Sequence, residues 1–207
     1  MGYILGPDKW PVDEETGRRA TYWETRRELV YYSALANFVR ILGYDARSMI
    51  DVGSAGCLYL GWFKWIPEVV SLDLNYPSPV PGVRQIKADF LEWKPDRNYD
   101  LVTCCQVLEH IPDAGAFAKK LLTLGRFVLV SLPHKWPAGS VKTHIHDPVD
   151  QAKIDGWFGR APDYKMTVRE PFAEERLFCF YNMSGKPLNL SSIDLVNRLV
   201  LRPVQRT

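Results

Sequence analysis

No apolar run in this sequence approaches the roughly 20 residues needed to span a bilayer, and Asp8, Lys9, Asp13, Glu14 and Glu15 stand where a signal peptide needs its apolar stretch. The expectation is a chain that avoids the membrane and works in the cytoplasm. Charge of one sign is also missing: 26 basic against 24 acidic residues leave a net +2, mixed along the chain. There is no basic stripe of the kind that tracks a phosphate backbone, so nucleic acid is not an expected partner. Cys57, Cys104, Cys105 and Cys179 form no C-x-x-C pair, which removes the common zinc and redox motifs. Cys104 and Cys105 are adjacent in an apolar run, so on a strand they point to opposite faces. Internal repeats and low-complexity blocks are absent.

What is present is the composition of an ordinary globular domain, with 207 residues of which 46% are apolar and 24% charged. That length buries a core without staples. The expected organisation is one domain over 1–207: an irregular arm and first helix in 1–42, a core in 48–181, and a tail in 183–207 whose role the sequence leaves open.

Periodicity gives the elements. Leu29, Tyr32, Leu35, Ala36, Val39 and Leu42 recur at helical spacing before Gly43, predicting one amphipathic helix over 22–42. Short apolar runs at 48–52, 69–74, 83–88, 99–105 and 126–132 read as strands, with helix-compatible pieces at 57–65 and 113–124 between them. That alternation predicts an α/β fold with a doubly wound, mostly parallel sheet. A further helix near 149–158 precedes two extended segments, 165–170 and 176–181, which form an antiparallel hairpin closing a seven-stranded sheet in a three-layer sandwich. An amphipathic stretch follows at 193–201.

The segment from Ser48 to Cys57 is a strand entering a turn with Gly53 and Gly56. Glycines permit close backbone approach, and a helix start beyond them offers amide groups to an anionic ligand end. Asp73 ends the second run 22 residues after Asp51, the spacing at which a carboxylate accepts hydrogen bonds from ribose hydroxyls. Asp89, next to Phe90, closes the third run, where a carboxylate and a ring meet an amino group and a flat base.

With these residues in view, the sequence resembles the class I S-adenosylmethionine-dependent methyltransferases, over about 22–181. The resemblance rests on Asp51-Val52-Gly53-Ser54-Ala55-Gly56, on Asp73, on Ala88-Asp89-Phe90, and above all on the run from Tyr99 to Asp113, which contains Glu109-His110-Ile111-Pro112-Asp113. It implies S-adenosylmethionine as cofactor, with Gly53, Ser54, Ala55 and Gly56 near its methionine part, Asp73 on the ribose, Asp89 and Phe90 by the adenine, and Gln106 and Val107 along the wall; Asp51 and Leu74 complete the implied set. One departure is Ala55 and Cys57, where many members alternate glycines.

Methyl transfer to a hydroxyl also needs a base. The four histidines, His110, His134, His144 and His146, all fall after the fourth or fifth strand, at the edge where such sheets bind ligands. His110 is read as fixing its turn. His134, His144 and His146 are the candidate catalytic bases. The H-x-H-D pattern in Lys142-Thr143-His144-Ile145-His146-Asp147 offers metal-ligand atoms, yet no fourth ligand or regular element supports it, so no metal site is assigned. Tyr22 and Trp23 are read as pocket or packing residues, and Arg26 and Arg27 as surface residues able to meet an acidic substrate. A small-molecule acceptor follows, with a saccharide among the candidates; the oligomeric state is open. The alternatives are a noncatalytic cofactor-binding or interaction protein and an N-methyltransferase on a small metabolite. A nicotinamide oxidoreductase is disfavoured, since the turn lacks G-x-G-x-x-G and no tyrosine is followed four positions later by lysine.

Overall fold

The computed structural model describes residues 21–171 and 175–202; the arm expected over 1–20 lies outside them. The chain forms α1 (Val30–Leu42), β1 (Ser48–Val52), β2 (Glu68–Asp73), β3 (Arg84–Lys87), β4 (Tyr99–Cys105), α2 (Ala114–Leu122), β5 (Gly125–His134), α3 (Gln151–Phe158), β6 (Tyr164–Arg169), β7 (Glu175–Asn182) and α4 (Ser192–Leu201). One sheet holds all seven strands in the order β3-β2-β1-β4-β5-β7-β6. Pairings from β3 to β5 are parallel, and β7 is antiparallel to both β5 and β6. The reversal of order beside β1 puts the ligand edge at the carboxyl ends of β1 and β4.

Strand alternation divides the core. Ile50, Val70, Val102, Cys104 and Val128 face α2 and α3, while Met49, Leu101, Phe127, Leu129 and Phe178 face α1 and the segment around Tyr59–Trp62. Cys104 and Cys105 do fall on opposite sides, Cys104 within one cluster and Cys105 packed against the other. Among the described residues no helix is long and apolar enough to cross a membrane.

Two elements depart from the sequence reading. The first helix begins at Val30, not Tyr22, because Leu29 is extended (φ −61°, ψ 143°) and supplies no cap. Instead the Glu170 carboxylate accepts the amide N–H groups of Val30 and Tyr31 at 2.9 and 2.8 Å, which ends the preceding turns and anchors the helix dipole. Upstream, Thr21 and Glu24 exchange side-chain-to-amide bonds of 2.7 and 3.3 Å. The second departure is 57–65, which forms only the four-residue 3-10 turn Tyr59–Trp62. Tyr59, Leu60, Trp62 and Phe63 are all buried while Leu58 and Lys64 are exposed, so four large apolar side chains in five residues must turn inward, more than one face of a regular helix presents. A Cβ on Gly61 would also sit 3.2 Å from Val80.

Candidate active site

The turn after β1 is built for close approach. Gly53, Ala55 and Gly56 all have positive φ, at 85°, 48° and 73°. A Cβ at Gly53 would lie 2.4 Å from a Val107 methyl, so glycine is required both by conformation and by space. Ser54 is buried, with its hydroxyl 2.8 Å from that of Ser71. Ala55, the departure noted in the sequence, occupies the left-handed region and is held there by its N–H, which donates to Asp73 Oδ2 at 2.9 Å.

Asp73 ends β2, where the ribose reading requires it. Its Oδ1 already accepts the amides of Asn75 and Tyr76, both at 2.8 Å. A carboxylate has about four acceptor positions, so one remains on Oδ2 with Ala55 in place and two once that amide turns away. Leu74 is 58% exposed beside it. Asp89 is exposed and accepts the Leu91 amide, while the Ala88 amide bonds to the Asp73 carbonyl. The Phe90 ring is 3% exposed and packs 4.4 Å from Phe117, so it supports this wall from within. Lys120 fixes the same segment by donating to the carbonyls of Phe90, Leu91 and Trp93.

Asp51 lies fully buried in β1, and its Oδ1 accepts the hydroxyls of Tyr59 and Thr103 at 2.8 and 2.5 Å. Its Oδ2 has no partner among the described residues. Burial pushes the carboxyl up to about 6, against those two hydrogen bonds. A buried, half-satisfied carboxylate beside a left-handed turn suits a ligand ammonium, and the spare acceptor on Asp73 suits a ligand hydroxyl. These residues fit the amino-acid and ribose parts of S-adenosylmethionine. Gln106, at φ 57°, leads from β4 to Val107, and its Nε2 donates to Ser131 Oγ at 3.3 Å.

The histidines are placed differently from one another. His134 is the last residue of β5, not the first after it, and its Nδ1 lies 3.2 Å from Glu175 Oε2 on the neighbouring strand. His146 directs Nε2 to the Ile111 carbonyl at 2.8 Å and stacks edge-on to Trp157. His144 sits beneath Trp136, 5.6 Å between ring centroids, and its Nδ1 lies 2.7 Å from Asp147 Oδ2. Burial lowers its pKa, opposed by Asp147. The Asp147 carboxylate accepts the Nδ1 proton in a hydrogen bond, which directs the other ring nitrogen, Nε2, away from it.

Sequence reasoning missed Glu109. It is fully buried, neither carboxylate oxygen has a hydrogen-bond partner on another residue among those described, and burial raises it to about 8, with its own backbone amide and the charge of Arg176 opposing the rise and the charge of Asp147 adding to it. The amide of Ile145 donates to the Glu109 carbonyl at 3.0 Å, which folds the loop after β5 onto the turn after β4. His110 is fixed in that turn, as expected, through Nδ1 to the Thr143 carbonyl at 2.9 Å. Its Nε2 lies 3.9 Å from Glu109 Oε1, and that of His144 lies 4.0 Å from the same oxygen. A groove of about 1000 Å³ between α1, β6 and the segment before α4 holds none of these residues.

No protein-family model and no curated protein matches the sequence. Solved structures do match. The 1,6-didemethyltoxoflavin-N1-methyltransferase of Burkholderia thailandensis, bound to 1,6-didemethyltoxoflavin and S-adenosylhomocysteine, superposes with a TM-score of 0.59 at 16% identity, over 77% of this chain and 83% of its own. The magnesium protoporphyrin IX methyltransferase of Synechocystis PCC 6803 with bound S-adenosylmethionine gives 0.55 at 18% identity, over 80% and 86%. The N-methyltransferase NodS of Bradyrhizobium japonicum with S-adenosylhomocysteine gives 0.55 at 11% identity, over 78% and 88%. The chain has the Rossmann-like fold of the class I S-adenosylmethionine-dependent methyltransferases.

Proposed function

We propose that the chain is an S-adenosylmethionine-dependent methyltransferase acting on a hydroxyl of a small molecule, with saccharides among the candidate acceptors. The observation that carries the reading is the left-handed turn at 53–56, tied to Asp73 and set beside the orphaned oxygen of Asp51. When bound, the cofactor supplies a methyl group on a sulfonium: an acceptor oxygen forms the new C–O bond, the C–S electrons return to sulfur, and the acceptor proton leaves to a base.

Orientation of the two reactants supplies about 7 to 11 kcal/mol of such a barrier. Asp51, residues 53–56 and Asp73 do the holding, and Val107 closes the wall against Gly53. Two histidines carry an orienting carboxylate on Nδ1, which puts the basic lone pair on Nε2: His134 with Glu175 and His144 with Asp147. His146 has its Nε2 committed to a carbonyl. Hydroxyl acceptors are favoured because this edge concentrates imidazole and carboxylate groups able to take a proton.

A labelled-methyl screen of small-molecule extracts, preceded by native mass spectrometry for co-purified S-adenosylmethionine or S-adenosylhomocysteine, tests the reading. Methyl incorporation with release of S-adenosylhomocysteine is expected. Binding of the cofactor without turnover on any extract would favour a noncatalytic binding protein, and label on nitrogen would make it an N-methyltransferase.

A further inference from the structure

We propose that Glu109, His110 and His144 form a binding site for one divalent first-row transition-metal ion at the acceptor side of the candidate active site. One ligand atom from each residue lies within 4.8 Å of the others. The two imidazoles are prepared for the task. His110 turns Nδ1 to the Thr143 carbonyl, and His144 turns Nδ1 to the Asp147 carboxylate. Each Nδ1 therefore carries the proton, and each Nε2 presents a lone pair toward Glu109. Carbonyl or carboxylate partners on the outer nitrogen are how proteins fix metal-binding histidines.

Glu109 supplies the independent observation. A fully buried carboxyl group with neither oxygen hydrogen-bonded to another of the described residues is costly unless something compensates it, and a dication does so directly. The Nε2 distances of 3.9 and 4.0 Å to Oε1 are wider than a bound ion requires. At metal–ligand distances of about 2.0–2.2 Å the ligand atoms stand roughly 3 to 3.5 Å apart, so binding draws each Nε2 toward Oε1 by about half an ångström to an ångström, and the two Nε2 atoms together by up to about 1.3 to 1.8 Å. Two imidazoles and one carboxylate favour zinc, manganese or cobalt over magnesium, and three protein ligands leave coordination positions open. The His110 side chain is 37% exposed while those of Glu109 and His144 are 0% and 5%, so an incoming oxygen reaches the ion past His110.

Glu109 and His110 follow Val107 by two and three residues, and Val107 packs on Gly53. Resting on the methyltransfer reading, the ion's role is to hold an acceptor hydroxyl and lower its pKa, leaving His134 as the base. His146, the other histidine of the H-x-H-D pattern, is not a ligand.

The test uses tag-free full-length protein stripped with a chelator and titrated calorimetrically with MnCl2 and, separately, ZnCl2, with CoCl2 absorption reporting the ligand field. Wild type is expected to take up about one equivalent and to melt at a higher temperature with the ion. Glu109→Gln, His110→Gln and His144→Gln should each weaken binding at least 10-fold, and Asp147→Asn by about 10- to 100-fold through loss of the orienting carboxylate. His146→Gln should bind as wild type does. Stripped Glu109→Gln should melt no lower than stripped wild type, which keeps a loss of binding separate from misfolding. Uptake by wild type below about 0.2 equivalents, or wild-type affinity in Glu109→Gln, overturns the site. The same stripped protein is titrated with S-adenosylhomocysteine: if that ligand binds and neither metal does, the metal site falls alone, and if a metal binds and that ligand does not, the methyltransfer reading falls alone.

Discussion

The amide of Ala55 donates to the Asp73 carboxylate at 2.9 Å, so the turn after β1 and the end of β2 are joined by one charged hydrogen bond. Asp73 accepts two further amides, from Asn75 and Tyr76. Removing the carboxylate altogether therefore disturbs the turn as well as any ligand, and Asp73→Ala should lose both melting temperature and affinity. Asp73→Asn keeps an acceptor oxygen while removing the charge. It should stay folded and bind S-adenosylhomocysteine about 10- to 100-fold more weakly, in line with roughly 1.5–3 kcal/mol for hydrogen bonds to a charged group. Calorimetry measures it; unchanged affinity in folded Asp73→Asn removes the ribose assignment.

Gly53 and Val107 form a second such pair. Gly53→Ala puts a methyl group at 2.4 Å from Val107 Cγ2 on a backbone with φ 85°. Left-handed strain of about 1–2 kcal/mol adds to about 1–3 kcal/mol of overpacking. Thermal melting should show a clear loss, and adding Val107→Ala should restore the overpacking part but not the backbone part. If the double variant melts no higher than Gly53→Ala, the contact is not what limits the turn.

How much of this was legible in the sequence varies with the range of the forces involved. Strands β1 and β4 run over the residues read from the sequence, Ser48–Val52 and Tyr99–Cys105, because a strand buried on both faces is a short apolar run bounded by polar or turn residues. The first helix starts later than its periodicity predicts because its start is set by Glu170, about 140 residues away, and no local pattern encodes that contact. The helix expected after Gly56 fails for a related reason: its aromatic side chains satisfy a shared cluster with Trp23 and Tyr32. At the site, Asp73 and the glycine turn lie within one strand–turn–strand unit and could be placed by spacing. Glu109 meets His144 where Ile145 bonds back to the Glu109 carbonyl, a contact between two distant loops, whereas local spacing pairs His144 with His146, two residues away.

Asp51 gives a pH dependence. Burial raises its folded-state pKa to about 6, above the value of about 4 of an unfolded aspartate. The folded protein thus binds this proton more tightly, and the stability it contributes is full below about pH 4 and lost as pH rises through 6, by at most roughly 3 kcal/mol. Asp51→Asn keeps an acceptor for Tyr59 and Thr103 and has no such proton. Urea denaturation from pH 4 to 7.5 should show the variant gaining on wild type as pH rises, whatever constant offset its amide introduces. Parallel profiles would mean that Asp51 is already ionised in the folded state.

The segment before α1 should respond to ligand. Trp23 is buried with its ring 4.9 Å from Tyr32 and 5.5 Å from Trp62. Tyr22, 39% exposed, has its pKa raised by burial of its hydroxyl end, with Arg26 opposing and with Cys57 and Glu109 adding to the rise. The Trp23 ring also lies 6.1 Å from that of Tyr59, whose hydroxyl donates to Asp51, so this segment sits beside the turn after β1. Limited trypsinolysis at Arg26 and Arg27 should slow when S-adenosylhomocysteine is added. Equal cleavage rates with and without it would argue that this segment does not cover the site.

His134, His144 and His146 should separate by assay. His134→Ala removes an imidazole oriented by Glu175 and should lower turnover by about 100-fold or more, as loss of a general base does, with S-adenosylhomocysteine and metal affinity intact. His144→Ala should lower turnover by a similar factor for a different reason, since it also loses the bound ion, and excess MnCl2 should recover part of the rate. For His134→Ala excess metal should recover nothing. His146→Ala breaks a bond to the Ile111 carbonyl and a contact with Trp157, both remote from the reacting atoms in chemistry, so its loss should appear in melting temperature more than in rate. Full turnover in all three variants with the true acceptor would place the base elsewhere. A rate loss confined to His146→Ala would reverse the ranking and make its carbonyl contact a feature of the resting state alone.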